Sequence, residues 1–276
     1  MAQSAQPTVP VEFFRGLPLV QVSVNRAPAA WFLLDTASSW NVLDRGTADA
    51  LGIKTEGSQK IRGGGDNTAA ITFASGVTLT VRGVTRSDDH LAVMRLPFKY
   101  DRPIAGMLGG PFLTQFVVTL DYRAATLTLA PPDAAVSTDG ASVIPFRLEA
   151  GIPTIDAAIA RPDGTHARGA FHIDTGASQT VILNRPFAIA NGFMKEDADE
   201  TGAVRAGSLT GGSSYLKSTT TSLTLGTIVV RDPVVNLSLD RKGSGSQSGR
   251  TGLIGDGILS SYVMTLDYPR SRLILR

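Results

Sequence analysis

Two aspartates stand where acids are unusual. Asp35 follows four apolar residues in WFLLDTASSWNVLD (31–44), and 139 residues later Asp174 stands in GAFHIDTGASQTVILN (169–184). A carboxylate among apolar neighbours resists ionisation unless something nearby stabilises its charge. Two such acids brought together can divide acid and base work between them, one giving a proton while the other takes one. A single Asp-Thr-Gly is an ordinary turn sequence, so it is the repetition that signals chemistry.

The elements that must position these acids are also written twice. AGMLGGPFLTQFVVTLDYRAATLTL (105–129) aligns with TGLIGDGILSSYVMTLDYPRSRLIL (251–275) without a gap, at an offset of 146. Both contain an apolar-apolar-Gly step, a TLDY core and a final Leu-x-Leu. Between the paired motifs, DRGTADALG (44–52) and PFAIANG (186–192) each read as one short helix closing on glycine. Elsewhere, segments such as VTLTV (77–81), TSLTL (221–225) and LPLVQVSV (17–24) alternate with period two between Gly, Asn and Asp turns. That pattern predicts an all-β protein. APPDAAVSTDGAS (130–142) has no period and reads as a linker. The expected organisation is an N-terminal lobe over 11–131, a linker over 132–142 and a C-terminal lobe over 143–276. A pseudo-twofold axis between two such lobes brings equivalent residues together, so Asp35 and Asp174 would face each other across it.

DTASS and DTGAS, with MLGG (107–110) and LIGD (253–256) downstream, resemble the aspartic proteases. Lobe length, the Ala of the second motif and the spacing of the Gly step resemble the retropepsin-like branch, here with two β-barrel units fused in one chain as in bacterial single-chain relatives. The resemblance implies an aspartic endopeptidase in which Asp35 and Asp174 share one proton. Aspartic proteases are themselves the standard illustration of that chemistry, because two carboxylates about 3 Å apart cannot both ionise cheaply. One takes a proton from a water held between them, and the other protonates the developing oxyanion. The pair titrates as a unit, and a bell-shaped acidic profile is expected. Neither a metal nor another cofactor is implied.

By the same resemblance, Thr36 and Thr175 exchange hydrogen bonds across the axis, and Gly109 and Gly255 let a strand pass close behind each acid loop. Gly63, Gly64 and Gly65 in IRGGGDNTAA (61–70), and Gly207, Gly211 and Gly212 in VRAGSLTGGSS (204–214), are candidates for flaps over a bound peptide. The first motif has Ala37 where the second has Gly176. A methyl there would crowd the substrate backbone or the acid loop, and positive φ at that position would strain Ala37, which raises the alternative of a pseudoprotease that binds peptides without turnover. Ser38 stands opposite Ala177. A Ser38 hydroxyl bonded to the carboxylate would make Asp35 the more readily ionised partner.

Several other readings are set aside. The 276 residues carry a net charge of +2 with Lys and Arg scattered, so the basic stripe of a nucleic-acid binder is missing. There is no cysteine, and His90, His166 and His172 match no metal spacing. A two-carboxylate glycosidase is disfavoured by the short apolar acid loops. Asp121 and Asp267, in the repeated TLDY, read as structural. Trp31 and Trp40 read as core, and RKGSGSQSGR (241–250) as a solvated loop. No apolar run reaches the length of a membrane span. AQSAQPTVP (2–10) has the character of a segment just after a signal-peptidase cut, giving the expectation of an exported, periplasmic monomer, with a cytoplasmic location as the alternative.

Overall fold

The structure, a computed structural model, describes residues 8–97 and 103–276. Its strands follow from alternation. Val77–Val81 buries Val77, Leu79 and Val81 and turns Thr78 and Thr80 outward, the period-two pattern of a half-buried strand. The strands nearest the acids are more uniformly apolar. Val181–Leu183 and Gly106–Leu108 are buried throughout, as expected of strands covered on both faces.

Each half repeats one arrangement. In the first, Gly106–Leu108 runs parallel to Ala30–Leu34 and antiparallel to Val42–Asp44, with Leu108 paired to Leu34 next to Asp35. In the second, Gly252–Gly255 runs parallel to His166–Asp174 and antiparallel to Val181–Leu183, with Gly255 paired to Asp174. Each Gly step thus lies beside an acid strand. The predicted helices form as Arg45–Ala50 and Arg185–Ala190. Asp44 caps the first by accepting from the Gly46 N–H at 2.8 Å, satisfying an end donor.

The halves are joined by a continuous sheet. Val117–Asp121 pairs antiparallel with Val263–Asp267, Thr119 opposite Thr265. Their hydroxyls are 2.8 Å apart, and they are 146 residues apart in the chain, equal to the repeat offset. The pseudo-twofold axis therefore runs between these two threonines. Outward on either side lie Thr126–Ala130 and Arg272–Leu275, then Thr8–Pro10 and Ser142–Glu149. Thr8–Pro10 is paired with Thr126–Ala130 although it precedes residue 11. No helix or strand lies between Ala130 and Ser142.

Asp121 accepts from the backbone N–H groups of Arg123 and Ala124, closing its turn. Asp267, fully buried, is held by Arg272 at 2.7 Å and Arg270 at 3.1 Å. Both acids act within their own strand ends.

Candidate active site

Asp35 and Asp174 stand at the ends of equivalent strands, and the residue after each acid locks the two loops together. The Thr36 N–H donates to Thr175 Oγ1 and the Thr175 N–H to Thr36 Oγ1, both at 3.1 Å. Each hydroxyl in turn donates across the axis at 2.7 Å, Thr36 to the Ile173 carbonyl and Thr175 to the Leu34 carbonyl. Both threonines are wholly buried, so all four bonds operate where an unpaired polar group would be costly.

The carboxylates are held alike. The Ala37 N–H donates to Asp35 Oδ1 at 2.9 Å, and the Gly176 N–H donates to Asp174 Oδ1 at 2.8 Å. Both acids line one cleft of about 510 Å³ between the halves. The Asp35 carboxyl reaches over the opposite loop: a Cβ built on Gly176 would fall 2.7 Å from Asp35 Cγ. Gly109 and Gly255 are equally confined. A Cβ would meet the Trp40 carbonyl oxygen at 2.2 Å in the first case and the Gln179 carbonyl oxygen at 2.4 Å in the second.

Burial makes both acids reluctant to ionise. Asp35 is pushed up to about 6, against the N–H groups of Ala37 and Ser38, which favour its charge. Asp174 is held well above the usual carboxylate range, first by burial and then by the charge of Asp35, with only the Gly176 N–H opposing. The Ser38 hydroxyl plays no part in this balance. Ser38 Oγ donates to the Trp40 carbonyl at 2.7 Å, so the serine hydroxyl braces the loop rather than the carboxylate. Ala37 lies outside the positive-φ residues, as does Gly176. The backbone strain considered for Ala37 does not arise.

A third acid lies behind the pair. Asp256, buried, accepts from the Tyr122 hydroxyl through Oδ1, while its Oδ2 is buried without a partner. Burial pushes it up to about 9, with the charges of Asp174 and Asp35 adding to the effect. Gly110 holds the equivalent place in the first half, where a Cβ would come within 3.0 Å of the Gly151 carbonyl oxygen.

The glycine-rich segments meet over the cleft. The first lies between Glu56–Ile61 and Ala69–Ala74, the second between Val204–Ala206 and Ser213–Thr219. The Gly64 carbonyl accepts from Ser208 Oγ at 2.5 Å and Thr210 Oγ1 at 2.6 Å, and the Gly65 N–H donates to Asp240 at 2.8 Å. Gly63, Gly64 and Gly207 line the cleft. Gly65, Gly211 and Gly212 adopt positive φ, and a Cβ on Gly65 would collide with the Gly212 carbonyl at 2.0 Å.

The 241–250 loop is not simply solvated. The Ser244 N–H donates to the Gly63 carbonyl at 3.0 Å, Asp66 accepts from the N–H groups of Arg241 and Lys242, and Gln247 and Arg250 line the cleft. Asn184 fixes this loop by donating to the carbonyls of Ser244, Gln247 and Arg250. Trp40 also lines the cleft while packing on an apolar cluster, so it is more than core. His172, Arg250 and Asp240 escaped sequence reasoning. The only sequence signal for His172 was its place two residues before Asp174, on the same strand face.

Comparison with known proteins agrees with this geometry. Residues 20–112 match the aspartyl protease family model. The aspartic proteinase from Irpex lacteus has a similar solved structure, 17% identical, with 98% of this chain and 97% of that one covered at a TM-score of 0.60. No curated protein sequence matches significantly. Residues 20–112 are thus similar to the aspartyl protease family, and the fold of the whole chain is that of an aspartic proteinase.

Proposed function

We propose that the chain is an aspartic endopeptidase, hydrolysing peptide bonds with a water activated between Asp35 and Asp174. The observation that carries this reading is the pair of buried carboxyls, each held by its own loop N–H and tied to the other through Thr36 and Thr175. With one proton shared, Asp35 is the base that takes a proton from water, and Asp174 is the acid that protonates the carbonyl oxygen as the water adds. The tetrahedral intermediate collapses as the leaving amine receives a proton from the pair. The peptide lies extended in the cleft beneath the glycine-rich segments, and it pairs with their backbones once the bonds that fasten them to each other open. Both acids come from one polypeptide, so a monomer suffices for this chemistry. The alternative is a binding-only pseudoprotease in which Ala37 blocks turnover; the backbone at Ala37 has no positive φ, which removes strain as a ground for it and leaves obstruction by the methyl as the remaining one.

The test is a mixed-peptide library incubated between pH 3 and 8 with wild type, Asp35→Asn and Asp174→Asn. Cleavage lost in both variants is the expected result. Peptide binding without cleavage by the wild type at any pH overturns the proposal in favour of a binding module.

A further inference from the structure

The two floors of the cleft are built on one pattern from different chemistry. Leu33 pairs with Met107 and Met107 with Val42, as His172 pairs with Leu253 and Leu253 with Ile182. Leu33 and His172 therefore correspond, each two residues before an acid and on its strand face. The ladders extend the match. Val42 pairs with Ala92 where Ile182 pairs with Asn236, so Met94, two residues beyond Ala92, answers to Ser238. Val93 pairs with Thr72 where Leu237 pairs with Leu216, so Ile71 answers to Tyr215.

In the first half Leu33, Ile71, Ala92 and Met94 belong to one apolar cluster, and all four line the cleft. Their counterparts are His172, Tyr215, Asn236 and Ser238. A small side cavity of about 50 Å³ adjoins this polar floor, with His172, Ser238 and Arg250 in its walls.

Arg250 lines both the cleft and the side cavity, and its guanidinium has no hydrogen bond or ion pair among the described residues. The charge of Glu149 acts on it and Asp240 shares the side-cavity wall, yet neither acid bonds it directly. Glu149 is held by Arg147 at 2.9 Å, and Asp240 accepts from the Gly65 N–H at 2.8 Å. His172 is buried, and its Nε2 has no hydrogen-bond partner, lying 3.6 Å from Glu149. Burial and the charge of Arg250 hold His172 down to about 4, so it is neutral through the weakly acidic range. Arg250 is left half-buried on this floor with no direct hydrogen bond or ion pair to its guanidinium, the charge of Glu149 acting only from a distance, and a bonded anionic partner is correspondingly favoured there.

We propose that the second-half subsite takes an acidic side chain, its carboxylate paired with Arg250, while the first-half subsite takes an apolar one. The preferred peptide then has an apolar residue on one side of the scissile bond and Asp or Glu on the other. This deepens the endopeptidase reading and rests on it for the word scissile, though the subsite itself is a binding property.

The test uses peptides made uncleavable by a reduced central amide, with leucine on one side and Glu, Gln, Leu or Lys on the other, in both orders. Binding is measured for wild type, Arg250→Gln and Arg250→Glu, with the Leu–Leu peptide as the control for folding. In wild type, Glu should bind about ten-fold or more tighter than Gln in one of the two orders, and the margin should shrink with added salt. Arg250→Gln should erase the margin, and Arg250→Glu should favour Lys. A series led by Leu in both orders and unmoved by either substitution overturns the subsite. Cleavable versions separate the two proposals. A wild type that selects Glu through Arg250 but cleaves nothing keeps the subsite and loses the peptidase, whereas cleavage indifferent to Glu does the reverse. Failure of every peptide to bind overturns both.

Discussion

The two acid loops share the threonine lock and an N–H to each carboxylate yet tolerate different residues. Around Asp35, a methyl is accepted at Ala37, a serine hydroxyl braces the turn through the Trp40 carbonyl, and Gly110 follows the Gly step. Around Asp174, Gly176 has no room for a Cβ, Ala177 has no hydroxyl, and Asp256 follows the Gly step with an unpartnered oxygen. What both loops keep is the threonine lock and the N–H to each carboxylate, the parts needed to hold two acids in register. What differs is everything that weights the proton toward one acid. Symmetry here serves position, and its loss serves chemistry.

The largest effect should come from the acids themselves. Asp35→Asn and Asp174→Asn should each lower peptide hydrolysis by about 10²–10⁴-fold or more in steady-state assays. If either variant keeps wild-type turnover, the halves do not form one site. Next, Gly176→Ala drives a methyl into the Asp35 carboxyl and should cost about 10²-fold in kcat, the scale of a misplacement near 1 Å. Wild-type rates in that variant would mean that the confinement of the second loop is unimportant.

The third effect is on stability at high pH and belongs only to the second half. Asp256 has a folded pKa of about 9 against an ordinary 3.8, so the native state binds the proton more tightly than the unfolded chain. Its contribution is present at low pH and is lost as pH rises from about 4 to 9. Asp256→Asn should remove that slope. Its Tm relative to wild type should climb by several degrees between pH 5 and 9, at roughly 2–4 °C per kcal/mol for a chain of this size. Parallel Tm curves would show that Asp256 is not held neutral.

A smaller and symmetric effect is expected of the lock. Thr36→Val and Thr175→Val should each cost about 1–3 kcal/mol in denaturant unfolding, and the double variant less than the sum because the four bonds form one network. Strongly unequal losses would break the twofold comparison where it is strictest. The smallest effect is Ala37→Gly. With no positive φ to relieve, kcat should stay within about three-fold of wild type, and a large gain would show that the methyl does obstruct the substrate.

Much of this architecture could be read because it is repeated. The offset of 146 between the TLDY segments placed Thr119 against Thr265, and the paired Asp-Thr motifs indicated the two acids that the cleft brings together. Local alternation gave strands such as Val77–Val81 directly. What could not be read depends on where loops travel. The loop over 241–250 looks polar and glycine-rich, and it is its bonds to Asn184, Gly63 and Asp66, all distant in sequence, that hold Arg250 at the cleft. The role assigned to Ser38 failed because a hydroxyl beside an acid in sequence can still turn to a carbonyl.

The fastening of Gly64 and Gly65 to Ser208, Thr210 and Asp240 has a kinetic consequence. With the tip of one half bonded to the other, a chain cannot settle into the cleft from above until that bar lifts. The speed of capture is then capped by how often the bar lifts. Observed association rates should level off as peptide concentration rises, at a ceiling set by the protein alone.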